Sequence, residues 1–330
     1  MYPNKFVNII LIFLLVSSFI VSIGTGAYHL PFWEIPKILI NKLDGFEILF
    51  YIRIPRTIIG LLAGASLAVS GAALQALFRN PLADPGLIGI TTGTGFGISL
   101  WIVFGGLLIS NRISFVFIGF FSGLFVTYMI WRIAFYENKT IIYILLLSGI
   151  ALNSIFGAGI GFITFLANDE ELRDITFWLL GSIAGITWKM ILITLPFIIL
   201  GLIIIFRRHR ELDIFSLGES EAYHLGISVQ NLKREIFIGT SLCIGASVSI
   251  VGGIGFIGLV VPHFLRLLGG SNNKYLIISS ALCGGLVLML SDTIARTLFS
   301  PIEIPVGVIT AFLGGPFFLW LILKSKKEIS

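Results

Sequence analysis

Residues 190–206 read MILITLPFIILGLIIIF, an uncharged apolar segment of 17 residues that ends at the basic cluster Arg207-Arg208-His209-Arg210. As an α-helix, such a segment is about 25 Å long, which approaches the ~30 Å thickness of the hydrocarbon core of a bilayer. Its apolar residues are continuous rather than alternating with polar ones, so the pattern favours a helix over a strand of a membrane barrel. The stretch therefore predicts a transmembrane helix whose basic end lies at a membrane surface.

The composition of the whole chain is that of a membrane protein. Hydrophobic residues make up 56% and charged residues 12% of the 330 residues, and the mean hydropathy is +1.01. A soluble domain carries about twice that charged fraction, because its surface contacts water. The net charge of +5 is expected from the cytoplasmic loops of a membrane protein, so it does not indicate binding to nucleic acid.

Similar apolar segments, separated by polar or Gly- and Pro-containing breaks, recur along the chain. They predict an all-α polytopic membrane protein with about ten transmembrane helices, forming one membrane domain over residues 1–330. The predicted spans are 6–27, 54–78, 87–108, 113–135, 141–166, 190–206, 235–251, 255–268, 275–298 and 305–323. The first segment also fits a signal peptide, but residues 6–23 can cross the hydrocarbon alone, which favours a retained span.

The distribution of basic residues predicts the orientation. With the N-terminus in the cytoplasm, fourteen of the 22 Lys and Arg residues fall on the cytoplasmic side and eight on the outer side. This bias predicts that both termini are cytoplasmic. The longest cytoplasmic loop is then 207–234. The outer loop 168–189, which begins with three acidic residues, is expected to carry a short interfacial helix.

Several kinds of chemistry have no signature in the sequence. There is no Gly-x-x-x-x-Gly-Lys-Ser/Thr phosphate loop, and the four histidines and two cysteines are scattered, so neither ATP hydrolysis nor a metal site is predicted. Almost all Asp and Glu residues lie in loops or at span ends, whereas ion-coupled transporters usually carry ionisable residues near the membrane centre. We therefore predict a non-enzymatic protein without a cofactor that receives its energy from a partner. An ion-coupled secondary transporter is the alternative.

The cytoplasmic loop 207–234 has the pattern of two short helices. Residues 216–219 (SLGE) fit a capping box, in which the serine side chain caps a helix start and the glutamate reaches back. Gly226 then suits a left-handed helix stop, and Ser228 is placed to cap the next helix. The spacing alone is compatible with a solvated connector or with a docking element for a soluble partner.

Two arginines open the second span on the outer side. Arg53 and Arg56 oppose the helix dipole and the positive-inside trend, so local energetics do not explain them. They could extend to lipid headgroups, or they could form a cationic pocket for carboxylates of a partner. Asp292 and Arg296 lie four residues apart in the ninth span, in the favourable acid-before-base order, and as an exposed helix pair they would be worth only about 0.3–0.5 kcal/mol. That pairing does not exclude Arg296 from also facing a partner.

Several stretches in this order resemble the permease family of bacterial ABC importers for iron siderophores, haem and cobalamin. They are 53–57 (RIPRT), 71–75 (GAALQ), 79–89 (RNPLADPGLIG), 217–218 (LG), 224–226 (HLG), 253–263 (GIGFIGLVVPH), 292–296 (DTIAR) and 303–307 (EIPVG). The resemblance covers essentially the whole chain, and this many ordered matches are more specific than any single motif.

The resemblance implies a ten-span permease of the bacterial inner membrane that acts as a homodimer, with its fifth span near the dimer axis. The implied partners are a dimeric cytoplasmic ABC ATPase and a periplasmic substrate-binding protein. Arg53, Arg56 and Arg296 are implied to receive acidic residues of the binding protein. The residues implied to couple to the ATPase are Ser216, Leu217, Gly218, Glu219, His224, Leu225 and Gly226.

The resemblance says less about the transported chelate. Segments 172–178 (LRDITFW), 180–182 (LGS) and 187–188 (TW) are most similar to haem permeases, so haem is favoured over a ferric siderophore. Cobalamin is the alternative, although the cobalamin type differs more around Arg79 and Asp84. No His or Tyr pattern indicates a ligand for haem iron.

Overall fold

The computed structural model describes residues 3–26, 28, 31, 33–105 and 112–329. The helices are α1 (Pro3–Gly24), α2 (Ile35–Asn41), α3 (Ile54–Leu77), α4 (Ile90–Leu100), α5 (Arg112–Ala134), α6 (Ile142–Leu166), α7 (Asp169–Leu180), α8 (Trp188–Arg207), α9 (His209–Phe215), α10 (Glu219–His224), α11 (Val229–Val251), α12 (Ile257–Gly269), α13 (Asn273–Thr297) and α14 (Val306–Ile329). Shorter elements are the π-helical turns Ile48–Arg53 and Trp101–Gly105, the 3-10 turn Pro85–Ile88, and the antiparallel strands β1 (Phe135–Tyr136) and β2 (Lys139–Thr140).

The described helices agree with the predicted all-α polytopic membrane fold. Seven of them are long and apolar enough to cross a membrane, and three shorter apolar helices, Ile90–Gly105, Ile257–Gly269 and Val306–Trp320, occupy the positions of the other predicted spans. The ten predicted spans therefore occur in the predicted order. The predicted ends of the first span at residue 27 and of the third span at residue 108 lie outside the described residues.

Helix α3 is the central helix, and small residues allow its neighbours to approach closely. A Cβ atom on Gly64 would lie 2.2 Å from the carbonyl oxygen of Gly284 in α13, and one on Gly71 would lie 1.8 Å from that of Gly258 in α12. Such glycine contacts replace the hydrophobic driving force that helices lack in lipid. The carbonyl of Leu67 also approaches Gly258. Leu67 lies in the middle of α3 and Gly71 in its inner part, so the start of α12 is placed at membrane depth.

The short helix expected in the outer loop 168–189 is present as α7, and a capping box that the sequence analysis overlooked begins it. The side chain of Asn168 accepts hydrogen bonds from the backbone of Glu170 and Glu171, and Glu171 accepts one from the backbone N–H of Asn168. The C-terminal end of α7 does not stay at the interface. It packs against Gly95 of α4 and against the irregular segment that follows α11.

That irregular segment, residues 252–256, separates α11 from α12 and is paired with the end of α7. The N–H of Gly253 donates to the carbonyl of Trp178 at 3.3 Å, and the N–H of Ser182 donates to that of Val251 at 2.9 Å. Gly252 has φ +73°, and a Cβ atom there would lie 2.2 Å from the Trp178 carbonyl oxygen. Irregular backbone at membrane depth requires internal partners of this kind, because lipid supplies none.

Candidate functional site

The two predicted functional regions lie at opposite ends of the bundle. Helices α1 and α13 run parallel, since Ser279 contacts Asn8 near their starts and Arg296 contacts Ser22 near their ends. Asp213 of α9 bonds to Asn273 at the start of α13, so the cytoplasmic loop lies at the same end as the start of α1. This arrangement agrees with the predicted orientation.

At the outer end, Arg56 binds two carboxylates. Its Nε and Nη2 donate to Asp292 at 2.8–3.0 Å, and its Nη1 donates to both oxygens of Glu303 at 3.0 Å. The Arg56 and Asp292 side chains are 8% and 2% exposed, whereas that of Glu303 is 45% exposed. Two-point bonding of a guanidinium to a carboxylate is the strongest geometry for such a pair. Arg56 is thus bonded to one buried and one exposed acid.

The other two outer arginines are also buried and bonded within the chain. Arg53 donates to the carbonyls of Ile23 and Gly24 at 2.9 Å and to that of Tyr28, so it caps the C-terminal end of α1. A cation is favourable there because the C-terminal end of a helix dipole is negative. Arg296 donates to the carbonyl and hydroxyl of Ser22, and its Nε lies 3.7 Å from Asp292.

We call Arg53, Arg56, Asp292, Arg296 and Glu303 the outer charge cluster. The Asp292–Arg296 pair is present at 3.7 Å, but it is buried rather than exposed, and Asp292 bonds chiefly to Arg56. Three arginines face two carboxylates, so each copy of the cluster holds one more positive than negative charge. The structure therefore brings the three predicted docking arginines together, beneath the surface rather than on it.

At the cytoplasmic end, α9 and α10 form a compact protrusion, which we call the cytoplasmic knob (residues 209–226). The predicted capping box is wrong: Ser216 continues the helical backbone of α9 and donates to the Asp213 carbonyl at 2.6 Å. Gly218, with φ +148°, precedes α10 instead, so Glu219 is the first helical residue and cannot reach back as a third one. The left-handed stop at Gly226 is confirmed by its φ of +84°. Ser228 precedes α11 as predicted, but its side chain makes no capping bond.

Lys233 of α11 holds the knob from beneath. Its side chain is 3% exposed, and its Nζ donates to Glu219 at 2.7 Å and to the carbonyl of Thr140 at 2.9 Å. Gln230 adds a bond from the Thr140 backbone N–H at 2.7 Å. One ammonium group therefore connects the first residue of α10, the β1–β2 hairpin between α5 and α6, and the start of α11.

Two further groups fix the base of the knob. Asp213 of α9 accepts hydrogen bonds from the backbone and side chain of Asn273 at 2.7 and 2.8 Å. Arg208 pairs with Glu211 and with Glu235 of α11. These contacts attach α9 to α13 and to α11, so the knob cannot move independently of the transmembrane bundle.

The outer face of the knob is apolar. Leu217, Tyr223 and Leu225 are 67%, 71% and 62% exposed, and His224 beside them is also exposed. Contiguous exposed apolar side chains on the aqueous side of a protein are typical of an interaction surface. Of the seven predicted coupling residues, only Gly218 is buried.

Sequence reasoning missed Glu303, Lys233 and Asp213 as members of these sites. Glu303 lies in the stretch 303–307 that resembles the permease family, but the sequence assigns no partner to it. Lys233 and Asp213 are ordinary charged residues of a polar loop in the sequence, and their roles depend on residues up to 93 positions away. No group of three or more His, Cys, Asp or Glu side chains suitable for a metal ion occurs in the described part of the chain.

Residues 13–324 match the FecCD transport family over nearly the whole chain. The chain belongs to the FecCD transport family. As a FecCD protein with several apolar helices, it is a permease of an ABC importer and a multi-pass protein of the bacterial inner membrane. The resemblance inferred from the motifs is thereby confirmed.

Relatives of this FecCD chain carry different substrates in their names. The hemin transport system permease protein HmuU of Yersinia pestis is 38% identical over 327 residues, covering 96% of each chain. The vitamin B12 import system permease protein BtuC of Citrobacter koseri is 38% identical over 84% of this chain and 83% of its own. The molybdate import system permease protein MolB of Haemophilus influenzae is 35% identical over 99% and 98%.

The fold of this FecCD chain is shared with a solved structure. An inward-facing metal-chelate type ABC transporter superposes with a TM-score of 0.86 and 33% identity, covering 97% of this chain and 99% of that chain. Together with the relatives, this similarity establishes the class of transporter. It leaves the transported molecule open among several chelates and an oxyanion.

Proposed function

We propose that the chain is the membrane-spanning subunit of an importer that moves haem into the cytoplasm. In this proposal two copies form a homodimer, a dimeric cytoplasmic ABC ATPase supplies the energy, and a periplasmic protein delivers the substrate. ATP hydrolysis resides in the ATPase and not in this chain. A ferric siderophore is the second candidate substrate and cobalamin the third.

The observation that carries the proposal is the apolar face of the cytoplasmic knob. Leu217, Tyr223 and Leu225 present large side chains to water, which is unfavourable unless a partner covers them. A soluble ATPase subunit with an apolar cleft is such a partner. His224 lies on the contacting face. The fold of the knob depends instead on Ser216, Gly218 and Gly226, and Glu219 attaches it to Lys233.

The anchoring of the knob supports force transmission to the bundle. Through Lys233, a displacement of α10 acts on α11 and on the hairpin between α5 and α6. Through Asp213, a displacement of α9 acts on α13. A movement of the ATPase would in this way reach four transmembrane helices at their cytoplasmic ends.

The outer charge cluster supports docking of an acidic partner, in which a carboxylate of the partner takes the place of a carboxylate of this chain on an arginine. Arg56 is already paired, and Glu303 is its only exposed partner within the cluster. A carboxylate of the binding protein could replace Glu303 on Arg56 while Asp292 stays in place. The surplus positive charge of the cluster favours this exchange. The exposed Leu298, Phe299 and Ile302 beside Glu303 would supply apolar contact area.

This docking proposal is tested by removing the competing carboxylate. Glu303→Gln should strengthen binding of the periplasmic protein, because the partner carboxylate no longer displaces a charged one, and affinity should still fall as salt rises. Glu170→Gln, which removes an exposed outer carboxylate that is not part of the outer charge cluster, is the matched control and should leave affinity unchanged. Weaker binding of the Glu303→Gln variant would contradict exchange and identify Glu303 as part of the docking surface itself.

The surface of α6 supports a homodimer. A Cβ atom on Gly157 or Gly161, four residues apart, would meet no other atom within 4 Å, and the neighbouring Ile155 and Phe162 are 62% and 64% exposed. Small residues at this spacing let a second helix approach closely. The fifth span is the one that the family resemblance places near the dimer axis.

The choice of haem rests on the segment around α7. Residues 172–178, which resemble haem permeases most, lie on α7, and the end of this helix packs beside the irregular segment 252–256 within the bundle. The relative HmuU, named for hemin transport, matches almost the full length. The relatives named for vitamin B12 and molybdate keep the substrate class open to test.

The decisive experiment reconstitutes the chain with its ATPase and binding protein in liposomes and measures substrate-stimulated ATP hydrolysis. Haem, a ferric siderophore, cobalamin and molybdate are supplied in turn at equal concentration. Haem should stimulate hydrolysis and accumulate inside, and the other three should not. Stimulation by a siderophore alone would replace haem with the second candidate, and hydrolysis unaffected by all four would contradict an iron-complex importer.

A further inference from the structure

A groove between α5 and α11 begins at the cytoplasmic membrane surface and continues into the apolar zone; we call it the α5–α11 groove. It consists of an outer cavity of about 480 Å³ and an inner one of about 370 Å³, which share Tyr128, Trp131 and Arg234 as lining residues. Because they share these walls, the two cavities are adjacent and together form the groove. The family resemblance and the proposed function assign no role to it.

The mouth of the α5–α11 groove is basic and polar. Arg132 from α5 and Arg234 from α11 line it, together with the amide side chains of Asn138, Gln230 and Asn231. Both arginines are exposed, and within the described residues neither has a carboxylate partner within 4.0 Å. Arg208 at the same membrane surface is, by contrast, paired with Glu211 and Glu235. Two unpaired guanidinium groups above a cleft suit a phosphate group, which they can bind through two parallel hydrogen bonds each.

The inner part of the α5–α11 groove is apolar and has the depth of one lipid leaflet. Leu124 and Leu242, which line its inner part, each lie eight residues along their helix from Arg132 and Arg234 respectively. Eight residues of α-helix span about 12 Å, and one leaflet contributes about 15 Å of hydrocarbon. Phe237 and Trp131 form the walls between the two levels. The cleft therefore accommodates an acyl chain below a headgroup at the basic mouth.

The groove is open towards the membrane rather than towards water alone. Tyr128 of α5 and Ile238 of α11 lie on its two rims and are 62% and 45% exposed. Further along the same face of α5, the apolar side chains of Phe121 and Phe125 are 60% and 59% exposed. A molecule can enter from the lipid without any helix moving.

We infer that the α5–α11 groove is a binding site for an anionic phospholipid of the cytoplasmic leaflet. A soluble phosphate would satisfy only the arginines, and a neutral lipid only the apolar walls. An anionic phospholipid matches both, with its phosphate between Arg132 and Arg234 and an acyl chain against Phe237 and Leu242. Basic pockets between transmembrane helices on the cytoplasmic side bind acidic lipid headgroups in this way.

The position of the groove gives the bound lipid a connection to the knob. Gln230, which lines the mouth, also accepts a hydrogen bond from the backbone N–H of Thr140. The carbonyl of Thr140 accepts a hydrogen bond from Lys233, whose Nζ also donates to Glu219. A lipid phosphate at the mouth therefore lies beside the hairpin that contacts the base of the knob.

The test measures lipid retained by the purified chain in native mass spectrometry, after incubation with phosphatidylglycerol or phosphatidylcholine of identical acyl chains. The wild type should retain phosphatidylglycerol preferentially. The double variant Arg132→Gln/Arg234→Gln should lose about 30-fold of that preference, because each basic charge at a membrane surface strengthens attraction to an anionic headgroup about fivefold. The matched control Arg207→Gln/Arg210→Gln removes two exposed cytoplasmic arginines outside the groove and should keep the preference.

Two further arms separate a lipid site from a phosphate site. Ile238→Trp, which fills the membrane-facing rim without changing charge, should also reduce retained phosphatidylglycerol. Glycerophosphoglycerol, the headgroup without acyl chains, should fail to displace the lipid at equal concentration. Equal losses in the groove and control variants, or displacement by glycerophosphoglycerol, would overturn the inference, the first result indicating unspecific surface attraction and the second a soluble anion site.

Discussion

Arg56 connects α3 with α13 by bonding to a residue that lies 236 positions away in sequence. It lies in the first turn of α3, and its partner Asp292 lies in the last two turns of α13, with both side chains removed from solvent. Transfer of a charge into such a site is unfavourable unless the partner and the remaining hydrogen bonds are all present. The pair therefore holds the outer ends of the two most closely packed helices together.

This arrangement predicts that Arg56→Ala destabilises the isolated chain, quite apart from any effect on docking. Removing one member of a buried pair leaves the other uncompensated and typically costs about 3–5 kcal/mol. The measurement is thermal unfolding of the detergent-solubilised chain, with Arg173→Ala as the control, because Arg173 is exposed on the same side of the membrane. Unfolding temperatures that fall equally in the two variants would show that the pair contributes no more than a surface charge.

At this scale, the sequence predicted which residues matter better than it predicted their partners. Arg53 and Arg56 were identifiable because they violate the helix-dipole and positive-inside trends, which are local properties, whereas Arg296 was identified from the family resemblance. Their contacts with the end of α1 and with Asp292 and Glu303 depend on how the helices pack, which no local pattern encodes. The i,i+4 spacing of Asp292 and Arg296 even suggested the wrong principal partner.

The elements themselves were predictable because each span is a local consequence of about 20 apolar residues. The short helix predicted to end at Gly226 is present as α10, since a left-handed stop leaves a clear signature, but the helix after Gly226 is the long span α11, and the second short helix, α9, was not predicted. The capping box failed because Ser216 satisfied the pattern but extends α9. The inward course of the end of α7 could not be predicted, because it depends on pairing with the segment after α11.

Gly226 offers a test of the knob as a coupling element. A Cβ atom there would meet no other atom within 4 Å, so Gly226→Val acts through backbone strain alone, and an L-residue in a left-handed conformation costs roughly 1–2 kcal/mol. We expect normal membrane insertion but a loss of ATPase binding or of transport in the reconstituted complex.

A matched control exists at Gly270, between α12 and α13. It has φ +90° against +84° for Gly226, equally open surroundings, and a position on the same membrane side outside the knob. With ψ −175°, Gly270 lies in a region that essentially only glycine adopts, so Gly270→Val should carry at least as much strain and still keep coupling. Wild-type transport in the Gly226→Val variant would identify the knob as a plain connector.

At the scale of the whole molecule, the source of energy is the property most open to a direct test. The buried acid of the outer charge cluster, Asp292, lies near the outer end of α13, where it is paired with Arg56, and not near the membrane centre. Membership of the FecCD family indicates an ABC importer. Uptake should therefore depend on ATP hydrolysis by the partner and should not depend on a proton gradient.

The measurement uses proteoliposomes with ATP enclosed and a protonophore added during uptake. Transport should continue at an unchanged rate after the proton gradient collapses, and it should stop when the ATPase subunit carries an inactivating substitution. Uptake that ceases on addition of the protonophore, with ATP still present, would instead support the secondary transporter.

The hydrogen bonds between α7 and the segment 252–256 also restrict how this protein can open. If the two segments separated, Gly253 and Ser182 would each lose a backbone partner in a place that water reaches poorly. The two segments are therefore expected to move together as one rigid body. A flexible joint of α7 must then lie at its outer end, before Asn168, where solvent can compensate exposed backbone. A pathway through the bundle would in consequence open by tilting α7 and the segment 252–256 as one body, rather than by unfolding the C-terminal end of α7.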